Sequence, residues 1–212
     1  MSRSGALMSE QAELVNKAFR VILLAVEDVV GKRGTGTILR QAGLAQYINN
    51  YPPSDTERGG HQLRHMSQIN RALFDIYGRR GARAIQRRSG RSRALDAIAE
   101  NGLLANATKL AAKLLPRRMK VKLMLDTAAK EYSEQLSTNV KIEDDAKFFY
   151  WSDPMCGNRV DWQSDQPVCF TTVGFIHGLL AWILEDENFI VEETACRAKG
   201  DAVGKYRIAL NA

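Results

Sequence analysis

The chain has 212 residues and a hydrophobic fraction of 45%, enough for one large domain with a real core, which excludes disorder over most of its length. Its 30 basic and 24 acidic residues leave a net charge of +6, modest in sum but unevenly spread. The longest apolar stretch, residues 168–184, holds His177 and two threonines and lacks a stop-transfer flank, which argues against a membrane span. The first eight residues lack the basic region and long apolar core of a secretory signal, so a soluble, cytoplasmic protein is expected.

In chain order, Ser9 is placed to cap a helix, with Glu10 and Glu13 in its first turn. Leu14, Ala18, Ile22, Ala25 and Val29 recur at helical spacing, and Val15, Phe19, Leu23, Val26 and Val30 widen the stripe. An apolar arc this broad predicts burial against the domain or a partner chain, and a homodimer is expected on that ground. Gly31 and Gly34 are expected to end the helix, and a short one follows over residues 37–42, stopped by Gly43. Pro52 and Pro53 force a loop. Helices are then predicted over residues 65–77, 82–90, 94–99 and 103–115, with Gly78 and Gly81 as punctuation. Pro116 suits a first helical turn, and a long helix runs on to about Leu136.

The texture then changes. Val140 and Ile142 alternate with charged residues, and Phe148-Phe149-Tyr150-Trp151 has strand composition. Residues 156–167 read as a loop or irregular hairpin, 170–185 as an apolar helix, 189–198 as a strand, Gly200-Asp201 as a turn, and 205–210 as a closing strand. Helices first and strands late predict one α+β domain over residues 1–212, mainly helical in 1–137 and with a sheet-bearing core in 138–212.

The sharpest pattern lies at the end. An aromatic strand leads to Cys156, and a helix carries Gly174 and Gly178. Glu192-Glu193 precedes Cys196-Arg197-Ala198-Lys199-Gly200-Asp201, and Tyr206-Arg207-Ile208 closes the chain's last strand. This order and spacing resemble the 4-vinyl reductase, or hydrocarbon-binding, domain family. The resemblance implies a helical N-terminal half and a C-terminal twisted antiparallel sheet with a packed helix, similar to the NO-signalling and Golgi-transport ligand-binding fold. It also implies an apolar pocket, whose expected lining is Phe148, Tyr150, Trp151, Phe170, Phe175, His177 and Trp182.

The expected function is a sensor or carrier for a small hydrophobic ligand: an aromatic, a lipid or a tetrapyrrole. The alternatives are an enzyme or accessory of tetrapyrrole vinyl reduction, and a structural interaction subunit. No nicotinamide, flavin, triad or phosphate-loop motif supports catalysis.

Metal-binding relatives imply zinc held by a Cys before the helix and two Cys eight residues apart in the last hairpin. Cys156 and Cys196 match the first two positions, but the third falls on Gly204. Glu193 is a candidate ligand only if a bulge breaks the strand, because residues three apart on a regular strand face opposite sides. The set Cys156, Glu193 and Cys196 is incomplete, so zinc is disfavoured. Three cysteines at wide spacing also make a poor disulfide framework.

Four further features have bland readings. His61 and His65 are expected to be exposed. Gly174-x-x-x-Gly178 is expected to let its helix lie close on the sheet. The arginine run from Arg79 to Arg93 has no interleaved aromatic, so a nucleic-acid surface is not suggested and a solvated face is expected. An odd cysteine count in a reducing compartment leaves free thiols.

Overall fold

The structure, a computed structural model, describes residues 13–100, 102–136, 138–154 and 162–210. A short strand β1 (Glu13–Val15) leads into helix α1 (Asn16–Gln41), and β2 (Arg58–Gln62) pairs antiparallel with β1 and leads into α2 (Leu63–Glu100). Helices α3 (Gly102–Ala112) and α4 (Arg117–Leu136) follow. Strands β3 (Lys141–Asp144) and β4 (Phe148–Asp153), helix α5 (Phe170–Leu184), and strands β5 (Phe189–Ala195) and β6 (Gly204–Leu210) complete the order. The last four strands form one antiparallel sheet in the order β3-β4-β6-β5. Among the described residues no helix is long and apolar enough to cross a membrane.

Glycine sets the two breaks in the long helices. Gly31 (φ 71°) interrupts α1 and Gly78 (φ 62°) interrupts α2, both in backbone regions that side-chained residues avoid. Gly90, expected to close a helix, does not. It lies inside α2 because α2 and α5 cross there, and an added Cβ would run into the Thr171 carbonyl oxygen. Gly174 meets the Arg87 backbone in the same way, and Gly178 faces Ala94. The glycine pair on α5 therefore serves a helix–helix seam and not the helix–sheet contact its spacing suggested.

The sheet follows period-two patterning. Phe149, Trp151, Tyr206 and Ile208 are fully buried, and Phe149 pairs with Ile208 as Trp151 does with Tyr206. Each such side chain contributes about 1.5–3 kcal/mol by leaving water. The opposite face carries Phe148 and Tyr150 under cations, with Arg207 4.9 Å from the Phe148 ring and Lys205 4.6 Å from the Tyr150 ring. Against the buried face stand α4 and α5, through Tyr132 and Phe175, whose rings meet Trp151 at 5.5 Å and 6.3 Å.

The helical half differs from expectation in three places. The stripe of α1 is covered within the chain: Leu14, Ala18, Phe19, Ile22, Leu23, Ala25 and Val26 are buried, and only Leu24 among its large side chains stands exposed. Most of that face is thus covered, while Val15, Val29 and Val30 stay half-buried. The β1–β2 pairing, which no sequence period announced, carries His61 inward, so His61 and His65 are buried and not exposed. Both stand against Phe19, and His61 bonds Tyr47 Oη (2.8 Å) and Asn16 Oδ1 (2.9 Å). The arginine run is exposed at Arg79, Arg80, Arg83, Arg88 and Arg91, as a solvated face should be, but not at its end. Arg79 and Arg83 lie over Phe170, Arg91 pairs with Glu187 at 2.5 Å, and Arg93 is buried.

Candidate functional site

Two constellations share helix α5. The first is at its start. Cys169 is the residue before α5, and its backbone N–H donates to Glu193 Oε2 at 2.9 Å. Strand β5 slips register between Glu193 and Ala195, so the bulge that would bring Glu193 and Cys196 together is present. The turn after it explains the terminal motif. The Cys196 N–H donates to Asp201 Oδ2 (2.7 Å), the Asp201 and Lys199 N–H groups return to the Cys196 carbonyl, and Gly200 takes φ 98° to close the loop. That turn leaves the two thiols 4.0 Å apart and buried. The ligand atoms of Cys169, Glu193 and Cys196 all lie within 4.8 Å of one another.

Sequence reasoning placed Glu193 and Cys196 in such a site but chose Cys156 as their partner. Cys156 lies outside the described residues. Cys169 was missed, although it alone directly abuts the apolar helix, which is the signal that could have found it. Two thiolates on one tetrahedral zinc at about 2.3 Å would stand about 3.8 Å apart. The observed 4.0 Å fits that geometry and is far too long for a disulfide, so both thiols are free. Burial first, and then the neighbouring Cys196, push the Glu193 carboxyl up to about 8. The hydrogen bond with Cys169 leads the effects that bring Cys196 down to about 5 against its burial. The direction for Cys196 is toward the thiolate, the form that binds metal.

The second constellation lies along the rest of α5. A cavity of about 50 Å³ sits among four helices. Helix α2 contributes Arg93 and Ile98, α4 contributes Met124, Ala128 and Tyr132, and α5 contributes Phe175, Leu179 and Trp182. Thr108 of α3 and Gln135 of α4 stand at the same cavity, and Gln135 is exposed, which marks the way out to solvent. Of the seven residues expected to line a pocket, Phe175 and Trp182 line this one. Trp151 stands behind it, edge-on to the Tyr132 and Phe175 rings, with its Nε1–H buried and without an acceptor among the described residues.

The other four residues lie elsewhere, for physical reasons. Phe148 and Tyr150 alternate with Phe149 and Trp151 and so face the far side of the sheet. Phe170 packs on Phe74 at 6.5 Å beneath Arg79 and Arg83. His177 turns toward Phe189, ring to ring at 4.9 Å, where burial lowers its pKa. The residues missed were those of the helical half, Arg93, Met124, Ala128 and Tyr132, which carry no motif.

No family model matches the chain, and no curated protein matches it in sequence. Solved structures do match in shape. A Tt H-NOX double variant aligns with TM-score 0.54 at 14% identity, over 94% of this chain and 96% of its own. An H-NOX protein from S. oneidensis in the Fe(II)NO ligation state aligns at 0.54 with 13% identity, over 91% and 99%. A structure described as "Modulating Heme Redox Potential Through Protein-Induced Porphyrin Distortion" aligns at 0.55 with 12% identity, over 93% and 100%. The chain has this fold, and at such identity the likeness says no more than that.

Haem does not fit the cavity as built. An apolar cavity of about 150 Å³ holds a single benzene, whereas this one measures about 50 Å³. Among the described residues that line it there is neither a histidine nor a cysteine to ligate iron.

Proposed function

We propose that this chain is a binding module, a sensor or carrier, for a small hydrophobic molecule held among α2, α3, α4 and α5. The observation that carries this reading is the apolar cavity at the meeting of four helices, backed by the mutually contacting rings of Tyr132, Trp151 and Phe175. Sites of this kind are concave and mostly apolar, with a few polar groups to orient the guest. At about 50 Å³ the cavity excludes a tetrapyrrole and would take a single ring or short branched chain only with an outward shift of a rim residue such as Trp182. The resemblance of the 196–201 motif to hydrocarbon-binding domains supports the same ligand class.

The test is titration of the purified chain with single-ring compounds such as toluene and phenol, followed by tryptophan fluorescence. Saturable binding is expected, together with its loss in Ala128→Leu, which fills the cavity while cooperative unfolding persists. Absence of binding across such a series would sink the reading.

A second reading concerns the thiol cluster. The Cys169, Glu193 and Cys196 set supports a zinc ion pinning the start of α5 to the β5–β6 turn. Two soft thiols and one carboxylate stand within reach of a single ion, and bound zinc would supply a structural cross-link there. Elemental analysis of the purified chain should give about one zinc per chain, lost in Cys169→Ser. Retention of zinc in that variant would place the metal elsewhere.

A further inference from the structure

Arg93 is the feature of the cavity that an apolar guest does not explain. It is only 6% exposed, yet it lies on the wall of an otherwise mostly apolar cavity. Its guanidinium stands 5.2 Å from the Tyr132 ring centre and 5.2 Å from that of Phe175. Among the described residues it makes no ion pair and no hydrogen bond. Its neighbours in the arginine run are satisfied at the surface, by Glu187 for Arg91 and by the Pro167 carbonyl for Arg79.

A buried cation without an anion is costly, and two aromatic faces recover only part of what water gave it. Arginine cannot escape by losing its proton. Nor can it swing out freely. Its backbone belongs to the seam where Ala94 meets Gly178 and the Arg91 backbone meets the same glycine, so the base of the side chain is fixed by close helix packing. Behind it lies a second cavity of about 20 Å³ bordered by Gln86 and Ser89, whose Oε1 and Oγ are buried without partners. A water there would satisfy those two oxygens but would neutralise no charge.

Glu131 is the one carboxyl among the described lining residues, and no ion pair joins it to Arg93. Burial, and then Glu134, raise its pKa.

We infer that Arg93 is the recognition group of the cavity and that its guest is a small carboxylate on an aromatic or branched aliphatic body. The carboxylate accepts two parallel N–H bonds from the guanidinium fork, and the apolar body lies among Met124, Ala128, Leu179 and Trp182. This rests on the binding-module reading above and narrows it from hydrophobic molecules in general to amphipathic anions. Arg93 positions the guest and performs no chemistry on it.

The experiment is calorimetric titration of the full chain with benzoate, benzamide and toluene at fixed pH and ionic strength. Benzoate should bind about tenfold or more tighter than benzamide, its neutral isostere. Arg93→Gln should remove that preference while toluene affinity stays within about threefold of the parent. Arg93→Lys should keep part of it, since charge remains but the fork is lost. If toluene binds and benzoate is no better than benzamide, or if the preference survives in Arg93→Gln, the inference is wrong and the apolar pocket stands. If none of the three binds, both fall. Should Arg93→Gln fail to fold, the benzoate-to-benzamide ratio of the parent chain decides alone.

Discussion

The two ends of α5 solve the problem of buried polar groups in opposite ways. At its start, Cys169, Glu193 and Cys196 are brought together by backbone devices: a helix entry, a strand bulge and a tight turn closed by Asp201. Charge there is shared within the cluster, one proton between Glu193 and Cys196. Farther along, Arg93 enters the cavity alone and is met by ring faces. The first arrangement leaves Glu193 Oε1 buried and without a partner among the described residues, beside two thiols that a metal could join. The second leaves a charge for a guest to answer.

The largest expected effect comes from breaking what the two sites share. Gly174 lets α5 approach the backbone of α2 so closely that a Cβ would strike the Arg87 carbonyl. Backbone cannot step aside as a side chain can. Gly174→Val should therefore lower stability by about 4 kcal/mol or more in urea denaturation, and both sites should fail together. A variant that folds normally and keeps either site would show that the seam is not their common support.

The legibility of the sequence divides along the same line. The bulge-and-turn site was readable because its parts are local. Glu193, Cys196, Gly200 and Asp201 lie within nine residues, while Cys169 carries no local pattern that ties it to them. The α+β order and the sheet were readable too, since β4 alternates plainly. The cavity was not readable. Its walls come from four helices separated by up to about ninety positions, and helical periodicity tells that Ala128 or Tyr132 is buried but not against what. The β1–β2 pair was missed because three and five residues are too few to show a period. Gly90 misled because a glycine needed for close approach looks in sequence like a glycine needed to stop a helix.

Acid should separate scaffold from sites. Burial leads the effects that bring His65 down to about 4 from its ordinary 6.5, and His61 is lowered as well. Both are neutral in the folded and unfolded chains above pH 6.5, so their contribution is fully present there. Between 6.5 and about 4 the unfolded chain binds protons that the folded chain does not, and stability falls as pH falls. The loss from His65 is up to about 3 kcal/mol. Urea midpoints measured from pH 7 to 4.5 should decline in the parent, and the slope should flatten in His65→Phe. An unchanged slope would mean other groups control acid stability.

A more selective cut is Cys196→Ser. If zinc is bound, the variant should lose the metal and about 2–3 kcal/mol of stability at free zinc a hundredfold above Kd. Affinity of the helical cavity for toluene should stay within about twofold, because sites without shared partners act additively. Coupled loss of ligand affinity would mean that the start of α5 transmits to its far end and that the two regions are one device.

The smallest effect concerns access to the cavity. Trp182 is half-buried at the rim, and Lys109 of α3 lies 5.0 Å from its ring centre while pairing with Glu185 at 2.8 Å. Both groups are partly exposed, so the cation–ring contact is worth only about 0.5–1 kcal/mol. That is still enough to bias the ring toward its closed position, since α3 and α5 hold opposite sides of the rim. Lys109→Met keeps the aliphatic reach and removes the charge. It should leave global stability nearly unchanged and raise both the association and dissociation rates of toluene by about two- to fivefold, with Kd almost constant. Stopped-flow tryptophan fluorescence reads these rates directly. Equal rates in parent and variant would remove Trp182 as the door and leave the exposed edge at Gln135 as the route.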